Sequence, residues 1–214
     1  MPWTKPVDIH NNTGHNPHYA CVNSFKETHL HLARLFSRTV VYFRHPAGVQ
    51  SAALATVCPA VTIECGRANE ESSVTHAAVF INSALAMHHF PQQPVPDGDL
   101  DLMRTFAIIK VPRDASFSYD GTDAEFRLCP DLDRLNFAEL EPGTIFGTFG
   151  GTGSRRLDVL AADNTPTAGG YFEYVGGEIR LSECADCLGY LMHRIGRDGG
   201  RISEQKPRRL VGHS

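Results

Sequence analysis

The chain predicts an α/β fold: a mostly parallel sheet with flanking helices, followed by a small, mostly β lobe. Three observations carry this. Over the first ninety residues, short β-branched runs alternate with helical periodicity. "PQQPVPDGD" (91–99), with three prolines and a glycine, then interrupts the pattern. Beyond it, short β-like runs are separated by turns.

Residues 7–10 ("VDIH") form a short strand. "SFKETHLHLARLFS" (24–37) spaces Phe25, Leu30, Leu32, Leu35 and Phe36 helically, and Ser24 with Glu27 three residues on forms a capping box. "RTVVYFRH" (38–45) is β-branched and aromatic, hence a strand. "HPAGVQSAALATV" gives a turn and a short helical or irregular piece, and "AVTIECG" (60–66) a buried strand. In "EESSVTHAAVFINSALAMHHF" (70–90), Val74, Ala77, Ala78, Ile81 and Leu85 share one stripe, the core-facing side of a long helix that Pro91 ends. The later β runs are 105–111, 144–149, 156–161, 171–175 and 178–182. The implied organisation is an α/β domain over 1–92, a linker over 93–99, a β-rich lobe over 100–195 and a flexible tail over 196–214. The glycine-rich "GTFGGTGS" (147–154) lacks the lysine of a phosphate loop and reads as a hairpin or loop.

At 214 residues, 42% hydrophobic and 21% charged, the composition is that of a globular protein with a sizeable core. The net charge of −4 gives no electrostatic case for nucleic acid or an anionic membrane as partner. No apolar stretch approaches the roughly 20 residues that span a bilayer, and no signal-like segment opens the chain, so a cytoplasmic location is expected. Cys21, Cys58, Cys65 and Cys129 are scattered among apolar residues and read as buried free thiols. Cys184 and Cys187 form a lone C-x-x-C with no second pair to complete a zinc knuckle. Lys206, Arg208 and Arg209 belong to the solvated tail.

In "VDIHNNTGHNP" (7–17), His10 ends an apolar run, a common way to deliver a metal ligand from a strand. Asp8 is expected on the opposite face. His15 and His18 follow closely enough for a local three-histidine site, although Pro17 and the loop setting work against that geometry. Glu64 stands inside an otherwise buried run, where an unpaired carboxylate is costly. It is therefore either satisfied by Arg44 or Arg67, or it faces a cleft as a general base. Gly66 would let the backbone turn sharply away behind it.

"VDIHNNTG" resembles the D-[LI]-H segment of the succinylglutamate desuccinylase and aspartoacylase family, zinc hydrolases of carboxypeptidase-like fold. "RHPAGVQSAALATVCPAVTIECGRANEESS" is similar to that family's H-P segment followed by its E-x-G segment, and "AGGYFEYV" to a segment that brings a tyrosine into the site. The matches keep the family's order up to about residue 195. The resemblance implies a Zn2+ cofactor with His10 as one ligand, and Glu64 as the base that activates the metal-bound water. It also implies Tyr171 reaching the substrate from the β lobe and Asn11 beside the ligand. The reaction implied is hydrolysis of the amide, or ester, bond of an N-acyl amino acid or related carboxylate.

The chain departs from the pattern in two ways. The family's H-x-x-E motif, which supplies two further zinc ligands, is nowhere in the sequence. The resemblance thus implies a member lacking the N-terminal part, with those ligands outside this chain. Gln50 and Leu54 stand where aspartoacylase-like members carry a tyrosine and an arginine, and neither can clamp a carboxylate as arginine does. Arg67 is a candidate substitute. A non-catalytic descendant that binds a small carboxylate or a protein is the alternative. An incomplete parallel sheet would also expose an edge, so self-association through that edge is expected.

Overall fold

A computed structural model describes residues 4–43, 48–150, 155–167, 170–182, 190–198 and 201–204; over 190–204 it describes the backbone and the side chain of Met192. Arg44, Cys184, Cys187, Lys206, Arg208, Arg209 and the 151–154 part of the glycine-rich run lie outside the described residues.

The chain begins with strands β1 (Val7–Asn12) and β2 (Tyr19–Val22), helix α1 (Glu27–Phe36), strand β3 (Thr39–Tyr42) and the short helix α2 (Gln50–Leu54). Strand β4 (Val61–Arg67), helix α3 (Glu71–Ala86) and the ten-residue strand β5 (Asp101–Lys110) follow. Eight further strands complete it: β6 (Phe117–Ser118), β7 (Phe126–Leu128), β8 (Ile145–Phe149), β9 (Asp158–Ala161), β10 (Phe172–Val175), β11 (Glu178–Leu181), β12 (Tyr190–Asp198) and β13 (Arg201–Glu204). One sheet has the order β1-β4-β2-β3-β5-β12-β13, with β9 also on β5; the other has the order β10-β11-β8-β7-β6.

The first sheet is mixed, where a mostly parallel one was expected. β1 with β4, β2 with β3 and β3 with β5 are parallel, but β2 runs against β4, and β5 against both β9 and β12. The cause is loop length. Only residues 13–18 join β1 to β2, too few for the crossover of a dozen or more residues that a parallel return requires. β2 must therefore reverse, and it does so on the far side of β4.

Three apolar clusters form among the described residues, the smallest around Cys21, Val41, Met103 and Met192. Residues of α1 and α3 pack on one face of the first sheet, where Leu30, Leu32, Val40, Val61, Ile63 and Phe80 are fully buried. The second core lies under the five-stranded sheet, around Phe126, Leu140, Phe146, Ile179 and Leu181. β5 joins them: Leu102 belongs to the first core and Ala107 to the second. At about 3.3 Å per residue it is long enough to do both. Residues 93–99, expected as a linker, pack along α1: Val95 is buried and donates its N–H to Glu27 Oε2 at 2.8 Å, while Arg34 pairs with Asp99 at 2.5 Å. The segment thus does not separate the sheets, since β5, β9 and β12 beyond it all extend the first. β13 lies within the stretch expected as a tail and forms a hairpin with β12.

Both long helices differ from expectation in an instructive way. The capping box over Ser24 and Glu27 is absent: α1 starts at Glu27 itself, Ser24 Oγ accepts from the Lys26 N–H at 3.3 Å, and Glu27 is drawn off to Val95. In α3 the stripe expected to face the core faces outward, with Val74 and Leu85 70% and 73% exposed. Ser73, Phe80 and Ala84 are buried instead. At about 100° per residue the true core face is turned by roughly a quarter of the helix circumference from the stripe.

Cys21 and Cys65 are buried and Cys58 and Cys129 half-buried; all four are free thiols. No helix among the described residues is long and apolar enough to cross a membrane.

His29 in α1 is buried, and neither ring nitrogen has a hydrogen-bond partner of good geometry. Burial, aided by the nearby Lys26 charge, lowers its pKa against the opposing pull of the Ala55 and Cys58 backbone. Because the folded state binds this proton less readily than the unfolded chain does, the contribution to stability is present above about pH 6.5 and is lost as pH falls through the depressed folded value. The melting temperature should therefore drop on acidification below that point, and His29→Leu should flatten the drop. An equal slope in both proteins would count against His29 as its source.

Candidate functional site

β1 and β4 run parallel in register, with His10 opposite Glu64 near the carboxyl ends of both strands. Residues two apart in a strand share a face, so Asp8, His10 and Asn12 line one side and Val7, Ile9 and Asn11 the other. The expectation that Asp8 would point away from His10 is thus corrected: His10 Nε2 lies 3.1 Å from Asp8 Oδ1. Asn12, rather than the neighbouring Asn11, reaches the carboxylate, with Nδ2 3.4 Å from Glu64 Oε2. Its own Oδ1 is buried and unpaired.

Glu64 is half-buried, and desolvation pushes its pKa up; His10 and the Asn12 hydrogen bond pull it down, and Asp8 pushes it up again. Its face is walled on the β2 side. Tyr19 is the cross-strand partner of Glu64, which places both side chains on one face, and the Phe137 ring packs on Tyr19 at 4.7 Å. Phe137 has φ 60, a left-handed backbone that non-glycine residues seldom adopt. Its loop is tied to the site, since Asp133 Oδ2 accepts the His15 N–H at 3.2 Å. Below Glu64, Thr62 donates to Ser51 Oγ at 2.8 Å and anchors α2 on the same face.

Beyond Glu64 the register slips: His10 pairs with Glu64, but Asn12 pairs with Arg67. Two residues of β1 thus span three of β4, a bulge made possible by Gly66 at φ 77. The bulge brings Arg67 level with Asn12, on the Glu64 side of the sheet edge. Arg67 is exposed and makes no ion pair among the described residues. A Cβ on Gly66 would meet His18 Cδ2 at 3.1 Å, so glycine is also needed for space.

The three-histidine cluster does not form. His15 is exposed, and His18 is carried to the helix side, where its ring stacks on His76 at 4.4 Å and lies 6.0 Å from Phe36. Burial there, with His76 beside it, lowers the His18 pKa, the same direction as for His29. Among the described residues no three of His, Cys, Asp and Glu converge as a metal site needs. Hydrolytic zinc takes about three protein ligands and an open position. His10 with its flanking carboxylates does not fit zinc by itself.

The remaining expected site residues stand apart. Tyr171 packs its ring on Phe106 at 5.4 Å and its carbonyl accepts the Ser182 N–H at 2.9 Å. Gln50 is exposed at the start of α2, and Asn11 is exposed on the face away from Glu64. Asn12, Tyr19 and Phe137 were missed. Tyr19 and Phe137 carry no sequence signal, but Asn12 was legible as the residue two beyond His10.

No protein-family model and no curated protein sequence matches the chain. Among solved structures, murine aminoacylase 3 matches with a TM-score of 0.50 and 17% identity, over 89% of this chain and 56% of that one. Succinylglutamate desuccinylase from Vibrio cholerae gives 0.48 and 14% over 93% and 56%, and the enzyme from Chromobacterium violaceum 0.46 and 17% over 66% and 45%. The chain spans about half the length of these structures. The likeness to aminoacylase 3 is one of fold.

Proposed function

We propose that the chain carries the general-base part of a hydrolytic site for the amide bond of N-acyl amino acids. The single observation behind this is the desolvated Glu64 set opposite His10 at the carboxyl ends of two parallel strands. The fold shared with aminoacylase 3 and the resemblance of "DIHNNTG" and "ECG" to the deacylase segments support the same chemistry.

In this reading Glu64 accepts a proton from the attacking water, the hydroxide adds to the acyl carbon, the C–N bond breaks and the proton passes to the leaving nitrogen. Asn12 fixes the carboxylate's orientation through its amide N–H. Arg67 receives the substrate carboxylate. Tyr171, Gln50 and Asn11, placed at the substrate by resemblance, take no step here. Zinc is proposed as the cofactor with His10 as one ligand, its partners coming from outside the described residues, and no step is derived through it.

The test is free amine released from N-acyl amino acids by the purified chain with zinc supplied. Turnover that Arg67→Gln weakens mainly in KM supports the proposal. The second reading, a small-carboxylate-binding module, is favoured by the absence of three converging ligands among the described residues. Saturable binding of N-acyl amino acids without product selects it, and neither binding nor product sinks both.

Metal content gives a separate check. After dialysis the chain should retain well under one zinc per molecule, because one imidazole holds zinc weakly. A full equivalent that is lost in His10→Ala would overturn this expectation and show that a complete site assembles.

A further inference from the structure

We propose that His18 is a positioning residue of the site: its ring, wedged between the Gly66 bulge of β4 and His76 of α3, holds the bulge in the shape that sets Arg67 level with Asn12. The consequence for substrate rests on the reading that Arg67 receives the substrate carboxylate. The wedge itself does not.

The wedge is fixed from both sides. A Cβ on Gly66 would lie 3.1 Å from His18 Cδ2 and 3.4 Å from Nε2, so the imidazole edge fills the space a side chain would take there. On its other side the ring stacks on His76, with the centroids 4.4 Å apart and the planes at 30°. His76 is held in turn, because its Nε2 is bonded to the Phe36 carbonyl at 2.7 Å and its ring packs edge-on to Phe36. The His18 backbone is tied as well, its carbonyl accepting from Ser37 Oγ at 2.7 Å. Glycine leaves the backbone more freedom than any other residue, so the shape of this bulge depends on what packs against it.

The two sides of the bulge carry different parts of the site. Glu64 precedes it and is held by regular pairing with His10 and Tyr19. Arg67 follows it and is exposed, and only there does the Ala68 N–H return to the Asn12 carbonyl at 3.1 Å. A change at His18 is therefore passed to Arg67 and not to Glu64, which separates substrate binding from chemistry.

The wedge holds while His18 is uncharged. Among the described residues, the titratable groups facing its ring are His76 on α3 and the exposed Glu70 in the turn before α3. Phe36 and Ser37 from α1 and its end, and Gly66 from β4, bring no charge. Burial first, and His76 second, lower the His18 pKa against the opposing pull of Glu70. The ring is thus neutral at pH 7, and a proton taken up below the ordinary histidine range puts a charge against His76 and loosens the wedge.

The experiment follows the isotope-labelled full chain by NMR from neutral to mildly acidic pH, with N-acetyl-L-alanine as the probe of the site. In the wild type the Gly66 and Arg67 backbone amides should shift as the His18 ring titrates. In His18→Phe, which keeps a ring but takes no proton, that shift should be absent. In His18→Ala both amides should be displaced at every pH. The same variant should bind the probe about tenfold more weakly, as for one lost hydrogen bond to a charged group, with KM raised and kcat unchanged. Amides that ignore the His18 titration, or that shift equally in His18→Phe, overturn the proposal. So does a His18→Ala that leaves both amides in place or lowers kcat instead of raising KM. A wild type whose amides follow His18 but which binds no N-acetyl-L-alanine refutes the role given to Arg67 and leaves the wedge standing.

Discussion

Under the proposed function, replacing Glu64 by Gln is expected to lower hydrolysis of N-acyl amino acids by about a hundredfold to ten-thousandfold, the usual contribution of a positioned general base. The melting temperature should stay level or rise. Both halves follow from one fact: burial disfavours the charged carboxylate, so Glu64 costs folding free energy that a neutral amide of the same shape does not. Gln keeps an oxygen to accept from Asn12 Nδ2 and loses only the ability to take a proton. The raised folded pKa has the opposite pH sign to His29, favouring the folded state more as pH falls toward the ordinary carboxylate range. In Glu64→Gln that term disappears, so the acid-side loss of stability should steepen. A variant that hydrolyses as fast as the wild type would remove Glu64 from the reaction. One that melts well below it would make Glu64 a structural partner of His10 and Asn12.

Phe80→Ala should be the most destabilising of the substitutions considered, by about 3–5 kcal/mol. Phe80 is fully buried between α3 and the sheet, with its ring edge-on to Phe36 at 5.5 Å. Phe36 in turn packs edge-on to His76, whose Nε2 is bonded to the Phe36 carbonyl at 2.7 Å. Removing the ring leaves a cavity that these neighbours are too constrained to fill. For a chain of this length the loss corresponds to a fall in melting temperature of about 10 °C. Thermal or urea unfolding measures it, and a change within 1 kcal/mol would mean that α3 packs on the sheet by another face. Because Phe80 lies on the helix side and Glu64 on the other, the two substitutions should be close to additive.

These two residues mark how unevenly the sequence can be read. Glu64 stood out because a charge inside an apolar run demands an explanation, and the "DIH" and "ECG" segments supplied one by resemblance. Phe80 was passed over because the apolar stripe of its helix led elsewhere. A period of 3.6 tells that a stretch is helical, but not which side meets the sheet when the helix carries almost no charge to mark its wet face. The Asp8–His10 pair was legible in principle, since strand residues two apart always share a face, and the expectation that they diverge was an error of parity.

The sequence by itself determined most of the elements up to α3 and their order, because β-branching, helical spacing and proline act over a few residues; β2 (Tyr19–Val22), four residues long and next to Pro17, it did not reveal. It also determined that a buried carboxylate and a strand-end histidine lie in the same half of the chain. Only the tertiary structure decided that His10 faces Glu64, that Asn12 and Arg67 flank them across a glycine bulge, and that Tyr19 and Phe137 wall the face. It alone decided that the sheet is mixed and that the α3 stripe looks outward. All of these depend on pairing and packing between residues tens of positions apart, where the free-energy differences among arrangements come from contacts that no local pattern encodes.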